Sequence, residues 1–548
     1  MIGALRALLP SRRDYAGVRR TWRGDLLAGL TVGIVALPLA LGFGVSSGLS
    51  AEAGLITAVI AGLIAAIFGG SNVQVSGPTG AMVVVLVPIV AQHGPGAVAF
   101  VTLLAGLIVV AAGALKLGRA VSYIPWPVIE GFTLGIAVII FAQQVPAVVS
   151  SHTAGASEHS SNAVVAAVQS FAHLDPVYAL WALGAVAVVA VCMLGAPRVH
   201  RAIPGSLVGI VLVSVAAVVP ASPLARIGAL PSTLPLPALP TLDAGTLSSL
   251  ALPAVTVAAL AAIESLLSAR VAASLADTGT YDPDRELVGQ GLASIGSSLF
   301  GGMPATGAIA RTAVNVRSGG RSRLAAITHA GVLLVVVLAV AGPVGQIPLA
   351  ALSGVLMVTA VRMVHTDTMR AILRSTRADA AAFIATAVIT VSFDLIVAVL
   401  IGVAFAGFFS LRGMSRASRV RREDVRGAAH VGDDRIAILR FDGPLSFTSA
   451  DRIFAEVDAV RDVSVVIMRM SQLELVDATG AHMLGEVVQS LERRGITVLI
   501  KGVQPRHEDL FRTVGVLDAL RHHRHLFTDL PAALEHARSH VRRETTTA

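Results

Sequence analysis

Long apolar stretches recur along most of the chain, from about residue 25 to about residue 411. They run for roughly 15 to 25 residues, which lets a helix cross a hydrocarbon core about 30 Å thick. Beyond residue 412 the pattern changes to an ordinary mixture of polar and apolar positions. We therefore expect a cytoplasmic segment over 1–23, a membrane domain over 24–412, a linker over 413–431, a soluble domain over 432–540 and a tail over 541–548.

Composition supports this division, because 54% of the 548 residues are hydrophobic and only 14% are charged. That balance is more apolar than a soluble domain tolerates. The net charge is +8, but Lys116 and Lys501 are the only lysines among 42 basic residues. Many arginines lie at predicted membrane edges, where they indicate topology and not nucleic acid binding. The single cysteine, Cys192, excludes an internal disulfide.

The distribution of basic residues predicts the orientation of the membrane domain. The loop over residues 150–175 has no Lys or Arg, and the Pro-rich connection over 220–252 has only Arg226, so we expect both outside. Basic loops, expected inside, cover residues 116–119, 198–201, 317–323, 362–377 and 412–426. Both termini are then cytoplasmic in an inner (plasma) membrane, with roughly twelve full spans and two shorter ones. Residues 1–23 show no cleavable signal pattern.

One helix-breaking phrase occurs twice, as "FGGSNVQVSGPTGA" at residues 68–81 and as "FGGMPATGAIART" at residues 300–312. Each copy has Phe-Gly-Gly, then a proline closely followed by Thr-Gly-Ala. Proline suits the first turn of a helix, and glycine lets the backbone approach another backbone or a ligand. Each copy opens an apolar segment too short to be a full span. The phrases therefore predict two half-helices that begin within the membrane.

Roughly seven apolar runs separate the two copies, so the second half of the domain should be inverted relative to the first. Paired interrupted segments in inverted halves are typical of the binding site of a secondary transporter. The N-terminus of each half-helix presents unpaired N–H groups and a partial positive charge. Two such ends facing each other predict a site for a small anion.

Two ionisable residues lie inside predicted membrane segments. Glu264 is in "LAAIESLLSARVAASL", and Arg311 is the next-to-last residue of the second copy of the repeated phrase. An unpaired charge at that depth costs about 2.5–3.5 kcal/mol, which favours a function over a snorkelling side chain or a structural ion pair. Ser268 shares a helix face with Glu264. A protonatable acid beside an anion site can couple proton entry to anion entry.

Four motifs together resemble the SulP sulfate permease family, which includes bicarbonate transporters, plant sulfate transporters, pendrin and prestin. They are "ALPLALGFGVSSG", "VSGPTGA", "AAIESLLSA" and "GGMPATGAIARTAVNVRSGGRS". The resemblance covers about residues 22–538. It implies a polytopic all-α membrane protein with 14 transmembrane segments in a 7+7 inverted repeat, in which a core domain moves against a gate domain. It also implies a cytoplasmic α/β STAS domain and a homodimer.

The resemblance places the anion between the starts of the third and tenth segments, with an apolar wall from the first. The residues it implies for binding are Phe43, Gly77, Pro78, Thr79, Gly80, Ala81, Thr306, Gly307, Ala308, Ile309, Ala310 and Arg311. Glu264 and Ser268 on the eighth segment are the implied coupling residues. An arginine at position 311 favours proton-coupled transport or exchange, and sodium-coupled bicarbonate symport is an alternative. Leu39 stands where many sulfate-transporting members have Gln, so the anion stays open among sulfate, bicarbonate and related inorganic or carboxylate anions.

The soluble tail has strand-like stretches "DRIAILRFDGPLSF", "VSVVIMRM" and "ITVLIKGV", and an amphipathic helix "DATGAHMLGEVVQSLERRG" ended by Gly495. It resembles the STAS domain. Ala478 stands where bacterial antagonists carry a phosphorylated Ser, with Thr479 next to it. Asp477 is expected to cap the helix.

The remaining patterns point away from catalysis. The histidines of "RHHRHLF" lack Cys or carboxylate neighbours, so we expect no metal and no other cofactor. No phosphate-binding loop is present in the sequence, so direct ATP drive is not expected. The leading interpretation is a secondary anion transporter and not an enzyme. The alternatives are an uncoupled anion channel or exchanger, and a membrane regulator that recruits a cytoplasmic protein through its STAS domain; uracil and xanthine permeases lack that tail.

Overall fold

The computed structural model describes residues 8–15, 17–119, 125–150, 162–199, 203–218, 222–240, 244–275, 281–392, 401, 404–405, 407–408, 418–425, 430–446 and 449–547. The chain forms two compact units, Met1–Val403 and Ala404–Ala548. The predicted end of the membrane domain at residue 412 and the domain bounds after it stay predictions.

The first unit is helical, as its apolar runs predict. Its helices are α1 (Val18–Ser46), α2 (Ala51–Phe68), α3 (Gly80–His93), α4 (Gly96–Ala114), α5 (Trp126–Val149), α6 (Ala163–Ser170), α7 (Pro176–Val199), α8 (Gly205–Ala216), α9 (Ala244–Leu275), α10 (Pro283–Leu299), α11 (Ile309–Arg317), α12 (Arg323–Gly345), α13 (Leu349–Met363), α14 (Thr366–Arg374) and α15 (Arg377–Ser392). Two short strands interrupt them, β1 (Ser76–Gly77) and β2 (Thr306–Gly307). The predicted third, eighth and tenth segments correspond to α3, α9 and α11.

Eight helices within the described residues are long and apolar enough to cross a membrane. Helices α3 and α8 are apolar but shorter. The chain is therefore a multi-pass membrane protein, and the count of 14 segments stays a prediction.

The order of elements repeats within the first unit. Helices α1 and α2, strand β1 and helices α3–α5 are followed later by α9, α10, β2 and α11–α13 in the same order. Each copy of the repeated phrase thus supplies a short strand and then the start of a short helix. The repetition agrees with the duplication that the two phrases predict.

Packing sorts the helices of this unit into two groups. In the first, which we call the core group (α1–α4 and α9–α12), α10 packs against α2 and α4, and α12 packs against α1. In the second, the gate group (α5–α8 and α13–α15), α5 packs against α13 and α15, and α7 against α8. This is the division into core and gate that the family resemblance implies.

Helix α10 holds the first repeated phrase in place. The Glu286 carboxylate accepts hydrogen bonds from the backbone N–H groups of Gly70 at 2.7 Å and Ser71 at 3.1 Å. One turn later, Gln290 donates to the Ser76 hydroxyl and to Glu286. A buried acid that accepts backbone N–H groups satisfies polar atoms that would otherwise be stranded, so Glu286 has a structural role.

The second unit is a five-stranded sheet flanked by helices. Its strands are β3 (Arg419–Glu423), β4 (Ile436–Leu445), β5 (Val465–Val476), β6 (Thr497–Lys501) and β7 (Leu526–Phe527), in that spatial order. Only the β3–β4 pair is antiparallel. Its helices are α16 (Ala450–Asp458), α17 (Ala478–Arg493), α18 (Pro505–Thr513) and α19 (Leu530–Thr547). Apolar side chains of the central strands are buried on both faces, one under α17 and the other under α19, as in covered parallel sheets.

Three strands and one helix of this unit lie where the sequence pattern predicts them. The Asp477 carboxylate accepts the Gly480 N–H at 2.7 Å, so its predicted role as a helix cap is confirmed. Strands β3 and β7 were not predicted. Four of the five residues of β3 are charged, and Glu423 at its end binds Arg440 at 3.2 Å and Arg469 at 2.8 Å. Ion pairs hold this edge strand, so it lacks the apolar alternation by which strands are recognised.

Candidate functional site

The two copies of the repeated phrase lie side by side. Strands β1 and β2 pair antiparallel, with Ser76 opposite Gly307 and Gly77 opposite Thr306. The contact extends beyond this pair, because the Ala308 N–H donates to the Val75 carbonyl at 2.8 Å. Residues more than 200 positions apart in the sequence thus form one small antiparallel ribbon between the two halves of the unit.

A short helix leaves each strand of this ribbon. Helix α3 starts at Gly80 after Thr79, and α11 starts at Ile309 after Ala308. At 14 and 9 residues, they extend only about 21 Å and about 14 Å, less than a full crossing. Among the described residues, no side chain caps either N-terminus. The first-turn N–H groups therefore keep their capacity to bind an anion.

Glu264 of α9 lies between the residues that precede these helices. Its Oε2 atom accepts hydrogen bonds from the hydroxyls of Thr79 and Thr306, each at 2.7 Å. The two hydroxyl oxygens are themselves 3.1 Å apart. One carboxylate oxygen thus joins both copies of the repeated phrase.

This triangle of three oxygens accommodates two protonation states of Glu264. Two hydroxyls supply two hydrogens, which satisfy an ionised carboxylate that accepts from both threonines. A protonated carboxyl adds a third hydrogen, and each of the three contacts can then be a hydrogen bond in a closed ring. The site can therefore take up or release a proton without losing its hydrogen-bonded frame.

Arg311 lies in the first turns of α11, with only 2% of its surface exposed. Its Nη2 donates to the Pro78 carbonyl at the end of the first copy. Its Nη1 is buried without a hydrogen-bond partner among the described residues, and a Cβ added to Gly77 would lie 2.7 Å from it. The charges of Arg311 and Glu264 interact across the site. A buried cationic N–H without a partner is costly unless a ligand satisfies it.

An apolar wall closes the start of α3. A Cβ added to Gly80 would lie 3.4 Å from the Phe43 ring and 2.1 Å from the Ile140 side chain. Phe43 belongs to the core group and Ile140 to the gate group, so the start of α3 lies at their boundary. Gln144, one turn beyond Ile140, donates to the Ser46 hydroxyl of α1 at 3.1 Å across the same boundary.

The structure brings most of the predicted site residues together, but it separates Ser268 from Glu264. The Ser268 hydroxyl is 3.4 Å from that of Thr312 in α11 and does not contact the Glu264 carboxylate within the described hydrogen bonds. The side chains of Ile309 and Ala310 are exposed, and that of Ala81 is buried. These three residues contribute backbone to the helix starts. Ser268 instead fixes the face of α11 against α9.

Three polar residues that the sequence pattern does not single out frame the ribbon. The Ser265 hydroxyl accepts the Gly307 N–H at 3.1 Å, and Gln74 Nε2 donates to the Ser265 carbonyl at 3.2 Å. The Thr312 hydroxyl accepts the Val75 N–H at 3.0 Å. Ser265 directly follows Glu264, and Thr312 directly follows Arg311. Their positions next to charged residues are the sequence signal that points to them.

His329 of α12 is a fourth residue that the sequence pattern did not single out. It has no exposed surface, and both of its ring nitrogens lack a hydrogen-bond partner. Its ring lies 3.8 Å from the position of a Cβ built on Gly62, whose other neighbour is the Ser76 carbonyl of β1. The histidine therefore lies behind the ribbon, within electrostatic reach of Arg311.

Gly307→Ala is expected to disrupt this site. The added Cβ would lie 1.7 Å from the Gln74 side-chain nitrogen and 3.0 Å from the Ser268 Cβ, so either Gln74 must leave its hydrogen bond to the Ser265 carbonyl or the ribbon must shift. Such overpacking costs about 1–3 kcal/mol and moves Thr306 away from Glu264. We expect anion binding to weaken at least ~10-fold at normal membrane insertion. Gly331→Ala, in open space on α12, is the matched control, and equal affinity in both variants would contradict the geometry.

Residues 22–386 match the sulfate permease family, and residues 428–533 match the STAS domain. The chain belongs to the sulfate permease family. The resemblance that the four motifs predict is thereby confirmed, and so is a C-terminal α/β STAS domain after the membrane unit.

Two relatives of this sulfate permease family member extend over most of its length. YvdB of Bacillus subtilis is 34% identical over 500 residues, which cover 90% of this chain and 93% of YvdB. Bicarbonate transporter BicA of a Picosynechococcus strain is 32% identical, covering 88% of this chain and 89% of BicA. The named relatives are transporters and not enzymes, so this chain is a member of an anion transporter family.

Solved structures agree with the fold. The transmembrane domain of BicA, 32% identical, superposes with a TM-score of 0.61 and covers 71% of this chain and 98% of that domain. SLC26A9 superposes with a TM-score of 0.84 over 100% of this chain and 95% of its own, at 17% identity. The latter likeness concerns the fold alone.

Proposed function

We propose that this protein is a secondary active transporter that moves a small anion together with a proton, by alternating access of the core group against the gate group. The observation that carries the proposal is the buried Arg311 guanidinium. Within the part of the chain that the structure describes, its Nη1 has no hydrogen-bond partner, and it lies beside two helix starts that no side chain caps.

The chemistry of these groups favours a compact oxyanion. An Arg N–H and backbone N–H groups at helix N-termini all donate hydrogen bonds and all carry positive charge. Sulfate, bicarbonate or a related carboxylate offers several acceptor oxygens around one small centre. The family description supports sulfate, and the name of BicA supports bicarbonate.

Glu264 would couple the anion to a proton through charge. When Glu264 is ionised, its negative charge offsets that of Arg311 and repels an incoming anion. When it is protonated, the full Arg311 charge acts on the anion, and the ring with Thr79 and Thr306 closes. Coupling free energies between sites are typically about 1–3 kcal/mol, so protonation should strengthen anion binding about 5- to 150-fold. Reciprocally, a bound anion would favour the protonated carboxyl.

Alternating access would break contacts at the boundary between the two groups. The Gln144–Ser46 hydrogen bond and the packing of Ile140 on the start of α3 are such contacts. Movement of the core group past them would carry the ribbon, Arg311 and Glu264 as one body. We further propose that both termini are cytoplasmic, that the protein is a homodimer in an inner or plasma membrane, and that the STAS domain offers a surface to a cytoplasmic partner.

Transport by the purified protein in liposomes tests the proposed substrate and coupling. Sulfate, bicarbonate, chloride and dicarboxylates would be compared as competitors, with proton or sodium gradients imposed separately. We expect one of the oxyanions to compete best and an inward proton gradient to drive its uptake. Drive by sodium alone would indicate sodium-coupled bicarbonate symport, and flux that only follows the anion's own gradient would indicate a channel or exchanger.

Removal of the residues after 426 separates a transporter from a membrane regulator. We expect the shortened chain to keep anion uptake, because the ribbon, Arg311 and Glu264 all lie in the first unit. Intact regulation of a partner with no anion uptake by the full chain would contradict the transporter proposal.

A further inference from the structure

Three histidines come together in the second unit, although the sequence separates them. His525 ends the turn before β7, and His536 and His540 lie one turn apart on α19. One ring nitrogen of each lies within 4.8 Å of those of the other two. The partners that the phrase "RHHRHLF" lacked in sequence thus come from the C-terminal helix.

The geometry suits a tetrahedral metal ion. The Nε2 atoms of His536 and His540 are 3.3 Å apart. Two ligands at a Zn–N distance of about 2.0–2.1 Å in a tetrahedron are separated by about 3.3–3.4 Å. The two residues are four positions apart on one helix, which places both rings on the same face.

His525 supplies the second, independent observation. Only 4% of its surface is exposed, and its Nδ1 atom is buried without a hydrogen-bond partner. A backbone hydrogen bond to Val498 orients the ring. An imidazole nitrogen with an unused lone pair is a ligand for transition-metal ions.

Apolar packing on the sheet fixes α19, the helix that carries two of the three histidines. Ala533, Ala537 and Val541 of α19 pack on Ile438 and Ile467 of the sheet, so α19 cannot slide freely past β7. Nearby charges of both signs include Arg543, which donates to Ser539, and Glu544, which pairs with Arg435 at 2.8 Å. No carboxylate is among the three clustered side chains, which disfavours Mg²⁺ and Ca²⁺.

We propose that His525, His536 and His540 bind one divalent transition-metal ion, with Zn²⁺ the cation that the geometry favours, and that the ion ties α19 to the edge of the sheet. Three protein ligands leave a fourth position for water. The metal would stabilise the STAS domain and fix its C-terminal helix. This site is separate from the anion site and does not depend on the proposed transport function.

Metal binding by the full chain tests this proposal. The protein is purified in detergent with an affinity tag that contains no histidine, and it is stripped with a chelator. Zn²⁺ is then titrated calorimetrically, and bound metal is counted by mass spectrometry after dialysis. We expect one Zn²⁺ per chain in the low micromolar range or tighter, unaffected by excess Mg²⁺. Co²⁺ should give the intense visible absorption of a tetrahedral site.

Single substitutions localise the ion. His536→Gln and His540→Gln remove partly exposed rings, so folding should survive, and each should weaken Zn²⁺ binding at least ~100-fold. His482→Gln, an exposed histidine on α17, is the matched control and should leave affinity unchanged. Hydrogen exchange should show that Zn²⁺ protects α19 and residues 523–527. No Zn²⁺ bound in the low micromolar range, or binding that both variants retain, would overturn the site and leave a histidine–histidine hydrogen bond as the explanation.

Discussion

Replacing Arg311 with alanine is expected to weaken anion binding about 10- to 150-fold, because a hydrogen bond to a charged group contributes about 1.5–3 kcal/mol. The substitution removes the N–H group beside the two helix starts. It also removes the positive charge that offsets the negative charge of Glu264. Binding of the substrate anion, measured calorimetrically in detergent, gives the change directly. The variant should also lose uptake in liposomes.

Two further variants make this result specific. Arg311→Lys keeps the charge but loses the planar fork that reaches both Pro78 and the site, so an intermediate loss is expected. Arg270→Ala removes an exposed arginine from α9 and should leave affinity unchanged. Wild-type affinity in Arg311→Ala, at normal expression and folding, would refute the anion site.

Replacing Glu264 with glutamine is expected to abolish proton-driven accumulation while anion binding survives. Glutamine mimics the neutral carboxyl, accepts one hydrogen bond through its oxygen and cannot release a proton. Wild-type affinity should rise as pH falls, by up to about 5- to 150-fold. The affinity of Glu264→Gln should be independent of pH and close to the low-pH value of the wild type. Calorimetric titrations at a series of pH values measure both.

Glu286 provides the matched control for this variant. It is a second buried acid of the same unit, but it accepts backbone N–H groups of Gly70 and Ser71 and has no contact with the two threonines among the described hydrogen bonds. Glu286→Gln should lower thermal stability and preserve the pH dependence of anion affinity. If the pH dependence of anion affinity survived in Glu264→Gln and disappeared in Glu286→Gln, the coupling residue would be Glu286 and not Glu264.

The sequence predicts the broad site because its signals are local. A proline and glycines before a short apolar segment specify a half-helix wherever it lies in the fold, and Glu264 and Arg311 stand out against an apolar background. The two copies of the phrase are also similar enough to be recognised as a pair. These features lead to the ribbon region and to its charge without any knowledge of packing.

The hydrogen-bond partners could not be predicted in the same way. Thr79 is 185 positions from Glu264, and Gln74 is 191 positions from Ser265, so only tertiary packing brings them together. Ser268 fits the same helical periodicity as Glu264, yet its hydroxyl lies 3.4 Å from that of Thr312. His525 likewise acquires His536 and His540 only because α19 folds back onto the sheet.

Strand β3 shows a different limit. Periodicity identifies an element by the apolar surface that it buries, and β3 buries very little. Its pairing to β4 and the ion pairs of Glu423 hold it at the edge of the sheet. In the sequence pattern, a charged edge strand therefore cannot be distinguished from a linker.

The central claim is that a proton on Glu264 drives an anion held by Arg311, and uptake into liposomes under an imposed pH gradient tests it most directly. Accumulation of sulfate or bicarbonate would be followed with acid outside, without sodium and with membrane potential clamped, in the wild type and in Glu264→Gln. We predict that the wild type concentrates one of these anions above its equilibrium level and that Glu264→Gln does not. Equal accumulation by both proteins, or accumulation that requires sodium and ignores the pH gradient, would contradict the account.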